Sequence, residues 1–238
     1  MDEWKTIGTA RTQSGSEFEF ANSEDDWIVR VDGRLLMSSR MHDSEEALAE
    51  QALDRVDDPG HVLVGGLGLG FTLRAVLDRV PEDSVVSVAE LVPELVEWNR
   101  EYLGKLSDNA LEDPRCNVIV GDVFELIKGS PRTFDVILLD VDNGPAALAQ
   151  ARNQRLYSDV GVRACHAALR PEGVLAVWSS GHNARYERRL ESFGFDVEVI
   201  RIAARVGSRA RHVLFLAKRG FEDTASPRPR SARRPNLR

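Results

Sequence analysis

The sequence predicts an α/β protein: a doubly wound, seven-stranded, mostly parallel sheet preceded by a small antiparallel β-sheet. Three observations carry that expectation. From residue 61 onward, short apolar runs alternate with helical apolar patterns, which argues for a parallel sheet covered by helices on both faces. The first of those runs leads into Gly65-Gly66-Leu67-Gly68-Leu69-Gly70, a tight strand-to-helix turn. The first forty residues instead alternate aromatic and charged side chains and contain an Asp-Gly pair between apolar runs, which is a hairpin pattern.

Taken in order, Phe18 and Phe20 alternate with Glu17 and Glu19, and the runs 27–31 and 34–37 flank Asp32-Gly33. Residues 1–40 therefore read as short antiparallel strands without a core of their own. A helix follows from Asp43-Ser44 to about Val56, with acids in its first turn and a stripe of Leu48, Ala52 and Val56; Asp57-Asp58-Pro59-Gly60 stops it. Strands are expected at 61–64, 84–89, 117–120, 134–139, 174–179, 197–202 and 213–218. Helices are expected near 70–80, 93–103, 122–129, 155–169 and 183–193, with Pro93 in a first turn and Gly194 as a C-terminal cap. No helical pattern separates the last two strands, so they should form an antiparallel edge pair. The organisation is then 1–40, a nucleotide-binding unit at 41–220, and a tail at 221–238. That tail holds five arginines and three prolines and too little apolar surface to order itself.

Composition narrows the function. The 238 residues are 42% hydrophobic and 29% charged, a globular balance, with a formal net charge of −7. Five basic residues fall in the tail, so the remainder is more acidic than the total. An acidic body argues against a nucleic-acid partner and suits cationic ligands. Cys116 and Cys165 fall in different elements, and His42, His166, His182 and His212 show no ligand spacing, so neither a disulfide framework nor a metal site is expected. No apolar stretch approaches the ~20 residues of a membrane span, and residues 1–11 have no apolar signal region. A cytoplasmic protein without a membrane partner is the expectation. Trp98 and Trp178, on a helix and a strand, read as packing residues.

Site residues collect at strand ends. The second parallel strand ends in Glu90, about twenty residues past the glycines, where an acid can take both hydroxyls of a ribose. The third ends in Gly121-Asp122, and the fourth in Asp140-Val141-Asp142-Asn143-Gly144-Pro145. The C-terminal ends of strands in an open α/β sheet share one crevice, and ligands bind there. For Asp142 alone, a helix cap or solvated loop is the better explanation of the acid. Nothing in the pattern demands a pyrophosphate; an adenosine carrying a sulfonium fits as well.

These segments together resemble the spermidine synthase family, aminopropyltransferases on the class I methyltransferase (Rossmann-like) fold. GLGLGFTLR at 66–74 resembles that family's GGGDGGTAR. AELVPELVEWNREYL at 89–103 resembles its acid-ended strand and following helix. LEDPRCNVIVGDVFELI at 111–127 and FDVILLD at 134–140, with Gly-Pro-Ala at 144–146, resemble its later motifs. The resemblance implies that Gly66, Gly68 and Gly70 line the nucleoside and its arm, that Glu90 holds the ribose, and that Asp122 accepts from the adenine amino group with Val123 beside it. It implies Asp140 as the catalytic aspartate with Asp142 as helper, Asn143 and Tyr157 on the substrate side, and a homodimer. The co-substrate would be decarboxylated S-adenosylmethionine or S-adenosylmethionine, the acceptor a small amine, and no metal is called for.

The departures lie on the amine side. The family's acid within the glycine loop is Leu69 here, its second acid after the fourth strand falls at Asn143, and a second ribose-side acid is Val92. Its Tyr-His-Glu segment should lie near 49–51, and the tyrosine is absent. Three readings follow: an aminopropyltransferase using Asp140 as base, a methyltransferase using intact S-adenosylmethionine, and a non-catalytic nucleoside-binding or assembly protein.

Overall fold

The computed structural model describes residues 4–12, 15–141, 144–146, 153–203 and 210–220. The Arg-rich tail, Asp142 and Asn143 lie outside them. Four strands come first: β1 Lys5–Arg11, β2 Glu17–Ser23, β3 Asp26–Val31 and β4 Arg34–Ser38. They pair antiparallel in chain order. Asp32 and Gly33 join β3 to β4 with φ of 50° and 75°, the left-handed pair that a two-residue hairpin needs.

The buried face of this sheet is completed by the rest of the chain. Phe18, Phe20 and Val29 pack against Leu69, Val92, Leu95, Trp98 and Leu103. Phe20 is fully buried and stacks on both Trp27 and Trp98, with centroids 5.1 and 5.0 Å away. Aromatic pairs of this kind add about 0.5–1.5 kcal/mol each beyond their burial. β1 crosses Trp98 at Gly8, where a Cβ would fall 2.8 Å from the indole nitrogen. The small sheet is thereby fastened as a roof.

Helix α1, Asp43–Leu53, buries Leu48, Ala49, Ala52 and Leu53. Then come the strands of the large sheet: β5 His61–Gly65, β6 Val85–Glu90, β7 Cys116–Val120, β8 Phe134–Leu139, β9 Leu169–Ser179, β10 Phe195–Ala203 and β11 Arg211–Arg219. Their order is β10-β11-β9-β8-β5-β6-β7. Strands β5 to β9 run parallel, and β11 inserts antiparallel between β9 and β10. The expected antiparallel pair at one edge is therefore present, with β10 outermost.

The connecting helices are α2 Phe71–Leu77, α3 Pro93–Trp98, α4 Val123–Gly129, α5 Asp159–Ala168 and α6 Ala184–Ser192. Alternate residues of the central strands feed opposite faces. Leu63, Ile137, Leu139, Leu175 and Val177 pack with α4, α5 and α6. Val62, Val64, Val136, Leu138 and Ala176 pack with α1 and α2. Burial on both sides is why these strands read as continuous apolar runs rather than alternating ones.

Two helices differ from expectation. The helix over 93–103 is α-helical only to Trp98 and continues as a π-turn over Asn99–Leu103. The Asn99 side-chain amide donates to the Leu95 carbonyl at 2.8 Å and to the Gly68 carbonyl at 2.9 Å, tying this turn to the glycine loop. The helix over 155–169 is shorter, because Ser158 caps it, accepting from the Gly161 N–H at 3.5 Å, and the chain enters β9 already at Leu169. Strand order reverses at β5, whose neighbours are β6 and β8, so the ligand crevice of the fold opens there. Phe20→Ala should lower unfolding free energy by about 3–5 kcal/mol in chemical denaturation, since it empties the centre of the roof contact.

Candidate active site

The glycine loop continues the ladders past the strand ends. The Gly66 N–H donates to the Ala89 carbonyl at 2.9 Å, and the Asp140 N–H donates to the Gly65 carbonyl at 2.9 Å. Gly66 has φ of 92°, and a Cβ there would lie 2.4 Å from the Asp140 carbonyl oxygen, so no other residue fits. Gly66 and Gly68 line a cavity above β5, β6 and β8. Gly70, at φ of 89°, turns the chain into α2 and is not on the cavity wall.

Glu90 ends β6 inside that cavity and is only 6% exposed. One carboxylate oxygen accepts from the Leu67 N–H at 3.0 Å, the other from the Val92 N–H at 2.9 Å. Burial raises its pKa, and the backbone donors oppose that rise. Backbone donors from the glycine loop and from the chain after β6 hold both oxygens in place at the cavity wall. Asp122 caps α4, accepting from the Phe124 N–H at 2.8 Å, and lines the cavity together with Val123.

At the opposite end lies Asp140, following β8. The Thr72 hydroxyl, at the start of α2, donates to it at 2.7 Å. Burial raises the Asp140 pKa, partly countered by that hydrogen bond. Sharing the cavity is Glu45 of α1, which accepts from the Ser44 hydroxyl at 2.6 Å. Burial, then the charge of Asp140, pushes the Glu45 pKa up to about 7. Among the described residues no lysine or arginine lines the cavity.

The remaining walls are mostly apolar. Phe18, Leu36 and Met37 come from the roof, and Leu69 and Leu95 from beneath it. Leu69 is 4% exposed and belongs to the roof core, so the glycine loop presents a hydrocarbon where the spermidine synthase pattern has an acid. Trp178 also lines the cavity, beyond the packing role expected of it. About 170 Å3 is open to the centre of a water-sized sphere.

The structure thus brings together Gly66, Gly68, Glu90, Asp122, Val123 and Asp140. Tyr157 is placed differently: it is buried in the core, edge-on to Tyr186, and its hydroxyl donates to the Val141 carbonyl at 3.1 Å. It braces the backbone after Asp140 and is not part of the cavity wall. Residues 49–51 also lie away from the cavity; Ala49 is core, and Glu50 pairs with Arg79 at 3.4 Å. The helix contributes Glu45 instead, which sequence reasoning missed, because an acid in a first turn is already accounted for as a helix-start signal.

The sequence profile described as the spermine/spermidine synthase domain matches residues 41–190. The chain belongs to the spermine/spermidine synthase family. Polyamine aminopropyltransferase 2 of Pseudomonas aeruginosa is 36% identical over 158 residues, covering 64% of this chain and 43% of that protein. Its namesake from Bacillus cereus is 27% identical over 233 residues, covering 82% and 62%. The chain spans about half the length of the curated relatives it matches. Spermidine synthase from Thermotoga maritima superposes with a TM-score of 0.74 at 21% identity, covering 92% of this chain and 74% of that one. At that identity the likeness is one of fold. Among the described residues, no helix is long and apolar enough to cross a membrane.

The raised Glu45 pKa sets a pH dependence of stability. Between the ordinary carboxylate value of about 4.5 and about 7 the folded chain keeps a proton that the unfolded chain releases. Stability therefore falls as pH rises through that window. Glu45→Gln should match the parent near pH 4 and exceed it at pH 8 by on the order of 2–3 kcal/mol, measured by denaturant titration at both pH values.

Proposed function

We propose that the chain is an aminopropyltransferase: it binds decarboxylated S-adenosylmethionine and transfers the aminopropyl group to a small amine, with Asp140 as base. The observation that carries this reading is charge placement. The cavity has carboxylates at both ends and no described lysine or arginine, so it complements cationic groups and offers no countercharge to the carboxylate of intact S-adenosylmethionine. That favours the aminopropyl donor over the methyl donor, in spite of Leu69. The family match and the named aminopropyltransferase relatives support the same choice.

In this reading Glu90 takes the ribose hydroxyls. Asp122 and Val123 border the adenine, and Gly66 and Gly68 let the backbone pass close to the nucleoside. Asp142 as helper and Asn143 on the substrate side belong to the same reading and lie outside the described residues, and Tyr157 acts through the Val141 backbone. The sulfonium supplies a carbon already activated toward attack. The chain must therefore align the amine and take its proton. Asp140 attracts the ammonium form and accepts a proton from it. The amine nitrogen then bonds to the aminopropyl carbon as the carbon–sulfur bond breaks, the electron pair stays on sulfur, and methylthioadenosine leaves. A homodimer and a cytoplasmic setting belong to the same proposal and rest on the family likeness.

The test is incubation with either form of the donor and a panel of diamines, read by mass spectrometry. Product gaining one aminopropyl unit is expected; gain of a single methylene, from intact S-adenosylmethionine alone, would establish the methyltransferase reading instead. Asp140→Asn should lower kcat/KM about 10²–10⁴-fold while methylthioadenosine affinity stays within a few fold. Unchanged turnover in that variant would remove Asp140 from the mechanism.

A further inference from the structure

Glu45 sits where its chemistry is unexplained by its fold position. Acids in the first turn of α1 offset the helix dipole, but Asp43 and Glu46 supply that, and Glu46 is solvent-exposed. Glu45 points instead into the cavity that Asp140 lines. Each of the two carboxylates receives one hydroxyl donor, Ser44 on Glu45 and Thr72 on Asp140. Neither meets a lysine or arginine among the described residues.

The surroundings deepen the problem. Asp43 adds negative charge from the same helix. Glu90 after β6 and Asp122 before α4 line the same cavity, and the roof contributes Phe18 and Met37. Thr72 of α2 and Trp178 of β9 are neutral. His42, beside the helix start, is engaged with Glu46 at 2.7 Å. Two buried carboxylates lining one acidic cavity disfavour each other's charge when no cation is present, so they titrate as a pair.

We propose that Glu45 is a second catalytic carboxylate, which with Asp140 forms a proton-sharing pair that receives the ammonium group of the acceptor amine. The proposal rests on the aminopropyltransferase reading for the identity of the amine. Before binding, the pair carries one proton and one negative charge. The arriving R–NH3+ displaces that proton to solvent and neutralises one of two charges. A proton then passes from nitrogen to the pair, which returns to its single negative charge, and the freed amine lone pair attacks the aminopropyl carbon as the carbon–sulfur bond breaks.

Two measurements on the full chain test the pair. The first is a carboxyl-carbon NMR titration without ligand. The Glu45 midpoint should lie at about 7 and drop by roughly one unit or more in Asp140→Asn. A midpoint in the ordinary carboxylate range, or one unmoved by Asp140→Asn, overturns the proposal. The second is calorimetry of 1,4-diaminobutane binding to the methylthioadenosine complex at pH 6, where the pair is mostly singly protonated, in two buffers of different ionisation heat. Wild type should release about one proton, and Glu45→Gln should release none and bind about tenfold more weakly or worse. Unchanged release and affinity in Glu45→Gln overturn the pair. Wild type that shows the coupled titration and proton release but transfers no aminopropyl group upholds the pair and sinks the enzymatic reading. Wild type that transfers it, with Glu45→Gln unaltered in kcat and KM, does the reverse.

Discussion

The contact between Gly66 and the Asp140 carbonyl is the constraint on which the site depends. A side chain at 66 would collide with that oxygen, and removing it lets the loop after β5 lie directly on the end of β8. The same loop donates to β6 and accepts from the chain after β8. Three strand ends are thereby held within hydrogen-bonding distance of one backbone segment. Glu90 takes the N–H of Leu67 from that segment, and Asp140 takes the hydroxyl of Thr72 just beyond it. The acids at the two ends of the cavity are positioned by one turn, so their separation is set by backbone geometry and not by flexible side chains.

What lies above the turn gives the acids their chemistry. The roof sheet brings Phe18, Leu36 and Met37 over the crevice, and it is anchored by stacking on Trp98 of the α/β unit. This cover adds to the burial of the carboxylates beneath it. With it, burial is the largest cause of the shift at Glu45, Glu90 and Asp140 alike. Roof and acids make a functional unit although more than a hundred residues separate Phe18 from Asp140 in the chain.

Much of the large sheet was legible because its strands are buried on both faces, which leaves unbroken apolar runs at 62–64 and 136–139. The acids at the ends of β6 and β8 were legible because strand ends and glycine turns announce a crevice. β1 was not distinguished within the N-terminal run: Ala10 is its one buried residue, so it carries no alternation. The π-turn at Asn99 was hidden because its cause is a side-chain bond to a loop thirty-one residues earlier. Glu45 was hidden for a different reason: a helix-start acid and a cavity acid are the same letter in the same place, and only the packing of α1 against the sheet tells them apart. Tyr157 shows the converse, a residue matched to a site by its motif and held by the core in fact.

The stacking of Phe20 on Trp27 and Trp98 has a consequence for how the cavity fills. Lifting the roof admits water to Glu45 and Asp140 and hydrates their charges; lowering it expels that water and favours the protonated, neutral forms. Closure and ionisation therefore oppose each other as linked equilibria. A cation that neutralises the acids from within relieves the opposition, so the roof seats most firmly on a cavity that already holds its positive charge. The stack on Trp98 that holds the roof in place and the charge beneath it are thus coupled through the water the roof excludes.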